Sequence, residues 1–167
     1  NTVKHNIGDQ YEDNNTLGTA APITTPFNSA PNSMFTEIAP AAADIDFFSF
    51  TAEAGQYLIA EVTRGQIDSV LGLYDPSGAL IAANDDSTGL LSRIEGALPA
   101  DGTYTLAVTF CCDYDFDGVD PGQGPPLDGG RYVLDVQLLD GTPLPLGDDT
   151  VLELSGFGFS VSYDGVS

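Results

Sequence analysis

Residues 56–84 read QYLIAEVTRGQIDSVLGLYDPSGALIAAN. Three short apolar runs stand out: QYLIAEVT (56–63), SVLGLYD (69–75) and ALIAAN (79–84). They are rich in β-branched and aromatic residues and often alternate, the pattern of strands half-buried in a sheet. Asp75-Pro76-Ser77-Gly78 punctuates the last two, and a proline followed by a glycine two positions on is a turn signal. The same texture extends outward to IDFFSF (45–50), RIEGAL (93–98), TYTLAVTF (103–110) and RYVLDVQLL (131–139). Glu53-Ala54-Gly55, Ala100-Asp101-Gly102 and Asp128-Gly129-Gly130 supply further turns. No segment sustains a helical period. Strands at this spacing predict an all-β chain folded as an antiparallel, jelly-roll-like β-sandwich.

Around that core the chain divides. Residues 1–43 form an extended polar arm contributing to the domain. Within it APITTPFNSAPNS (21–33) has many breakers and no period, which predicts a path over a surface rather than a place in the core. Its Ser, Thr and Pro suit O-glycosylation, and Asn14-Asn15-Thr16 is an N-glycosylation sequon on Asn14. The sandwich core is 44–139. DGTPLPLGDD opens a linker over 140–150, and 151–167 holds an additional strand. In that strand Leu152 and Leu154 share one face; beyond Ser155-Gly156 the phase shifts and Phe157, Phe159, Val161 and Tyr163 line up. One greasy face beside a finished sandwich calls for a partner.

The chain's 167 residues suffice for one domain with a core, and its formal net charge is −21, with four Lys or Arg against 25 Asp or Glu. That balance excludes nucleic acid and anionic membrane surfaces as partners. No apolar run approaches the ~20 residues that span a bilayer, so membrane insertion is not expected, and no signal-peptide pattern opens the sequence. Self-repulsion among so many acids costs stability, and bound divalent cations relieve it. Scarce lysine with abundant Asp, Gly, Thr and Ser reads as an exported protein, either extracellular or at a bacterial cell surface.

The densest acidic motif is CCDYDFDGVDPG (111–122). Asp113, Asp115, Asp117 and Gly118 follow D-x-D-x-D-G, with Asp120 beyond. Calcium takes six to eight hard oxygens, and alternate carboxylates on a tight loop converge on it. The twelfth position is Gly124 and no helical pattern flanks the loop, so this is not an EF-hand. A calcium loop and a solvated acidic loop both remain open. Asn84-Asp85-Asp86, at a strand end, is either a turn with Asx hydrogen bonds or a second cation site with Asp68 or Asp75. Cys111 and Cys112 are too few for zinc and lack redox C-x-x-C spacing. Adjacent Cα atoms sit closer than a relaxed disulfide prefers, so a vicinal bridge needs a turn, and free thiols or bridges to other chains are the alternatives. The only histidine is His5, which leaves no Ser/His/Asp set and no catalysis to expect. Tyr57, Tyr74, Tyr104 and Tyr132 read as packing before they read as a binding face.

Several stretches taken in order resemble the bacterial pre-peptidase C-terminal domain, a sandwich module appended to secreted peptidases and a cousin of clostridial collagen-binding domains. They are Glu12-Asp13-Asn14-Asn15-Thr16 with Ala20, Asp44-Ile45-Asp46-Phe47-Phe48-Ser49-Phe50, Asp68 to Asp75, Asn84-Asp85-Asp86, Ala100 to Leu106, and Gly130-Arg131-Tyr132. The resemblance implies a secreted, non-catalytic jelly-roll-like sandwich, often with calcium. In the collagen-binding cousins the matching positions are calcium ligands, here Glu12, Asn14, Asn15, Asp44 and Asp46. Gln10 stands where those relatives often carry a second glutamate. From Gly147 on, the tail looks like the opening of a further module.

Two functions follow. The first is a calcium-stabilised structural subunit of a secreted filament or surface assembly, in which the 151–167 strand adds head-to-tail to another copy of the chain. The alternative is an accessory domain of a larger secreted peptidase or adhesin that binds extracellular matrix such as collagen, a glycan or cell wall.

Overall fold

Alternating burial along the strands explains how two sheets meet. In the computed structural model, which describes residues 10–24, 31–38, 44–118 and 130–141, these strands are β1 (Ala21–Pro22), β2 (Asn32–Ile38), β3 (Asp46–Ala52), β4 (Tyr57–Gly65), β5 (Ser69–Tyr74), β6 (Leu80–Asn84), β7 (Arg93–Ala97), β8 (Gly102–Phe110) and β9 (Gly130–Leu139). A five-stranded sheet runs β1-β3-β8-β5-β6 and a four-stranded sheet β2-β9-β4-β7. Every pairing is antiparallel except the short β1–β3 contact. Each connection except the β5–β6 hairpin passes from one sheet to the other, the swing of a jelly-roll-like sandwich.

Leu58, Ala60 and Val62 of β4 and Leu134, Val136 and Leu138 of β9 point inward from the four-stranded sheet. They pack on Phe48, Phe50, Leu71, Leu73, Leu106 and Val108 of the five-stranded one. Tyr104 stacks on Phe50 with ring centroids 5.9 Å apart, and its hydroxyl donates to Ala100 O at 2.8 Å, giving a buried phenol the partner it needs. The β5–β6 turn is closed by Asp75, whose Oδ1 accepts from Ser77 N at 2.8 Å and Ala79 N at 3.0 Å. Gly78 sits there at φ 84°, open to glycine at no steric cost. Those bonds, first the one from the Ser77 hydroxyl, hold the Asp75 carboxyl below its usual range.

All six residues of β5 are buried, because the five-stranded sheet is covered on both faces. Its outer face carries a second cluster of Ile45, Phe47, Val70, Tyr74, Ala107 and Phe116, with Ala20 and Cys111 packed against it. Phe116 reaches this layer from the acidic loop after β8.

The strands expected over 45–139 lie within two residues of their predicted bounds. The polar arm differs. Its residues 32–38 form a full strand of the four-stranded sheet, with Met34, Thr36 and Ile38 buried and Ser33 and Phe35 outward. The period-2 pattern begins only where the breakers of 21–33 end, and those breakers masked it. Tyr74, Tyr104 and Tyr132 are buried, which makes them packing residues. The predicted strand at 151–163, with Leu152, Leu154, Phe157, Phe159, Val161 and Tyr163, and Asp120 of the acidic loop lie outside the described residues.

Candidate metal centres

Among the described residues three groups of carboxylates converge, each with one oxygen per residue inside 4.8 Å of the others: Glu12–Asp44–Asp46, Asp68–Asp85–Asp86 and Asp113–Asp115–Asp117.

The first is built where the N-terminal segment runs beside the start of β3. Phe47 N donates to Asn14 O at 3.0 Å, and Asn14 Nδ2 donates back to Phe47 O at 3.4 Å. This two-way bond fixes residues 12–15 against Asp44 and Asp46. Asp44 and Asp46 are buried, at 4% and 0% exposure, while Glu12 is at the surface. Asp46 Oδ2 accepts from Tyr132 Oη at 2.5 Å and from Thr36 Oγ1 at 3.3 Å, so β2 and β9 both hold it. The Asn15 carboxamide lies against Asp44, and with its oxygen and nitrogen exchanged the nitrogen donates to Asp44 Oδ1 at 2.7 Å, an orientation in which Asn15 buttresses that carboxylate. Asn14 is wholly buried, and its Oδ1 has no hydrogen-bond partner among the described residues. A buried carboxamide oxygen left in that state costs free energy.

The second group sits where β6 ends and β5 begins. Asp68 is brought to Asp85 and Asp86, whereas Asp75 stays with its own turn. Asn84 Oδ1 accepts from Arg93 N at 2.9 Å, and Tyr114 Oη donates to Asp85 Oδ2 at 2.6 Å. Burial, then the charges of Asp85 and Asp86, holds the Asp68 carboxyl above its usual range. A carboxyl whose folded pKa exceeds its unfolded one binds its proton more tightly when folded. Its stability contribution is therefore present at low pH and lost as pH rises through the folded pKa. Asp68→Asn removes the repelling charge. In chelator it raises the melting temperature at neutral pH and changes nothing below about pH 4, near the unfolded value. Melts across pH read this directly, and a variant less stable than the parent at neutral pH contradicts it.

The third group is organised by Asp113, which is 1% exposed. Its Oδ1 accepts from Asp117 N at 3.1 Å, and its Oδ2 from Gly118 N at 3.0 Å and Thr109 Oγ1 at 3.2 Å. These bonds wrap the loop around one carboxylate, while Asp115 and Asp117 remain exposed. A hydrogen bond with Asp113, then the charge of Asp117, pushes the Asp115 carboxyl up. At the loop's root Cys111 and Cys112 form a vicinal disulfide, which removes both sulfurs from metal ligation, and Cys111 N donates to Asp68 O at 2.7 Å.

The sequence did not reveal Thr36 and Tyr132 as the holders of Asp46, since their meeting depends on how β2, β9 and β3 align across the sandwich. Phe116 was not read from the sequence either, although a phenyl ring between two aspartates of DYDFDG is the signal that marks it.

Residues 44–109 match the family model of the bacterial pre-peptidase C-terminal domain. A probable subtilase-type serine protease of Deinococcus radiodurans is 40% identical over 148 residues, 82% of this chain and 19% of that protein. The chain thus spans about a fifth of the length of the curated relative it matches. Among solved structures, the periplasmic inhibitor of g-type lysozyme from Aeromonas hydrophila shares the fold, with TM-score 0.50 and 17% identity over 70% of this chain and 93% of that one. The pre-peptidase C-terminal domain of Bacillus anthracis collagenase gives TM-score 0.45 and 16% identity over 70% and 97%.

Proposed function

We propose that this chain, whose residues 44–109 carry the pre-peptidase C-terminal domain match, is a non-catalytic, calcium-stabilised accessory module of a larger secreted serine peptidase. The observation that carries the reading is the relation to the subtilase: it runs along most of this chain yet touches only 19% of the relative. A segment of that kind is a module beside a catalytic unit. The chain's own inventory agrees, because its one histidine is His5, in the polar arm, and a Ser/His/Asp set needs an imidazole. The strand-donating filament subunit is the weaker reading. A protease relative gives the accessory role a parent protein.

Calcium is the cation the first carboxylate group fits. The buried Asn14 Oδ1 is a hard neutral oxygen without a hydrogen bond, and Glu12, Asp44 and Asp46 add three hard anionic ones. Bound there, calcium neutralises carboxylates that otherwise repel one another, two of them out of water. Glu12 and Asn14 belong to the N-terminal segment and Asp44 and Asp46 to the approach to β3, so the ion ties that segment to the sandwich.

Deleting the equivalent segment from the Deinococcus relative tests the accessory role. The shortened enzyme is expected to cleave a small soluble peptide with unchanged kcat/KM and to lose rate on an insoluble protein substrate or in secreted yield. Loss of small-peptide cleavage by a correctly folded enzyme overturns the reading, because the module would then belong to the catalytic apparatus.

A further inference from the structure

A groove of about 650 Å³ opens over the outer face of the four-stranded sheet, lined by Phe35, Glu37, Arg64, Arg131 and Val133 with Gln10 and Gln66 at its margin. We infer that this groove is where the module holds its target, and that the target is an extended peptide carrying an apolar side chain and, about three residues away, a carboxylate. The inference rests on the accessory-module reading, since the polymers a peptidase acts on are polypeptides.

The register builds the groove. Phe35 pairs with Val133, and Val133 pairs with Arg64, so the three stand in one row across β2, β9 and β4. Arg64 owes its place to a bulge between Val62 and Arg64; an unbroken ladder puts Thr63 opposite Val133. Bulges re-aim side chains in this way. The ring and the guanidinium are thus separated by two strand spacings, roughly 10 Å, which an extended chain covers in about three residues.

The lining is unusual for this chain. Phe35 is 67% exposed, more than any other large apolar side chain described. Arg64 and Arg131 are two of only four basic residues in a chain of net charge −21. Arg93 is engaged by Glu61 and Glu95, and Arg131 meets Glu37 at 3.4 Å. Arg64 has no ion pair among the described residues. A guanidinium unmatched among the described residues, beside an exposed phenyl ring, fits an external carboxylate, which it holds in a two-pronged hydrogen bond. The chain's general repulsion of anions is screened beyond ~8 Å at physiological salt, so it does not cancel a contact pair. It does keep acidic peptides off the remaining surface and confines them to this groove.

The full chain is titrated with an end-blocked, fluorescein-labelled heptapeptide of Gly and Ser carrying one Leu and, three residues on, one Glu. A Gln version of the peptide and labelled oligogalacturonate are run beside it. The Glu peptide is expected to bind saturably, with the Gln peptide about tenfold weaker, the worth of one charge-assisted bond. Arg64→Ala brings the Glu peptide down to the Gln level without changing the Gln peptide, and Phe35→Ala weakens both. Both side chains are exposed, and an unchanged melting temperature certifies each variant's fold. Absence of binding, equal binding of Glu and Gln peptides, or indifference to Arg64→Ala overturns the inference. Binding of oligogalacturonate alone, with the same dependence on Arg64, also overturns it in favour of an acidic glycan. If the deletion in the relative behaves as expected while the peptides fail here, the groove falls and the accessory role stands.

Discussion

Chelating calcium is expected to lower the chain's melting temperature by roughly 10 °C relative to calcium at about a hundred times its dissociation constant. A ligand that binds only the folded state at that excess adds ~2.7 kcal/mol, and each kcal/mol moves the midpoint of a domain this size by about 3–4 °C. The case for binding is local. Glu12, Asp44 and Asp46 bring carboxylate oxygens within 4.8 Å, two of these residues are buried, and the carboxamide oxygen of buried Asn14, on the same segment as Glu12, lacks a hydrogen bond among the described residues. Asp44→Asn separates this site from the other acidic clusters. It keeps the shape of the side chain and removes one charge, so its melting temperature in chelator equals or exceeds that of the parent, while most of the calcium increment disappears. If Asp44→Asn retains the whole increment, the ion sits elsewhere, with the Asp68 and Asp113 groups next in line. If calcium adds nothing to the parent, the acids serve solubility alone.

How much of this was legible in the sequence depends on whether the decisive contacts are local. The strands β3 to β9 were, because each is a short apolar run bounded by its own turn residues, and Asp75 closing the β5–β6 turn is a property of four neighbouring residues. Strand β2 was not read. Its alternation of Met34, Thr36 and Ile38 against Ser33, Phe35 and Glu37 spans seven residues beside a stretch full of proline and asparagine. Sheet order was out of reach, since it depends on which inward faces fit together and not on any one strand's pattern. For the first carboxylate group, the family resemblance supplied the ligand set. What it did not supply was the clamp on Asp46, where Tyr132 and Thr36 come from strands that follow and precede it by 86 and 10 residues.

Gly72→Ala and Phe116→Ala give the second large effect, and their combination shows how the acidic loop is held. A Cβ on Gly72 stands 2.5 Å from Cζ and 2.7 Å from Cε2 of Phe116, well inside contact distance, at the centre of the fully buried strand β5. Gly72→Ala alone therefore unseats the ring or shifts the strand, at a cost of about 2 kcal/mol. Phe116→Ala alone removes the ring that closes the outer layer beside Phe47 and Tyr74, at a cost of about 3 kcal/mol. The two costs do not add. Once the ring is gone the nearest remaining neighbour of the new methyl is Leu80 Cδ1 at 3.2 Å, the end of a side chain that can give way, and alanine restricts the unfolded chain more than glycine does. In the Phe116→Ala background, Gly72→Ala is accordingly neutral within about 0.5 kcal/mol, a coupling of about 2 kcal/mol across the cycle. Urea unfolding followed by tyrosine emission, in a chain without tryptophan, measures all four corners. Equal costs of Gly72→Ala in both backgrounds would mean that Phe116 is not seated on Gly72. The seat matters beyond stability. Phe116 lies between Asp115 and Asp117, and the bonds from Asp117 N and Gly118 N to Asp113 form only while the chain passes over the sheet at that point. One apolar side chain thus holds in place a loop whose own charges push it apart, and Gly72 is the residue that leaves room for it.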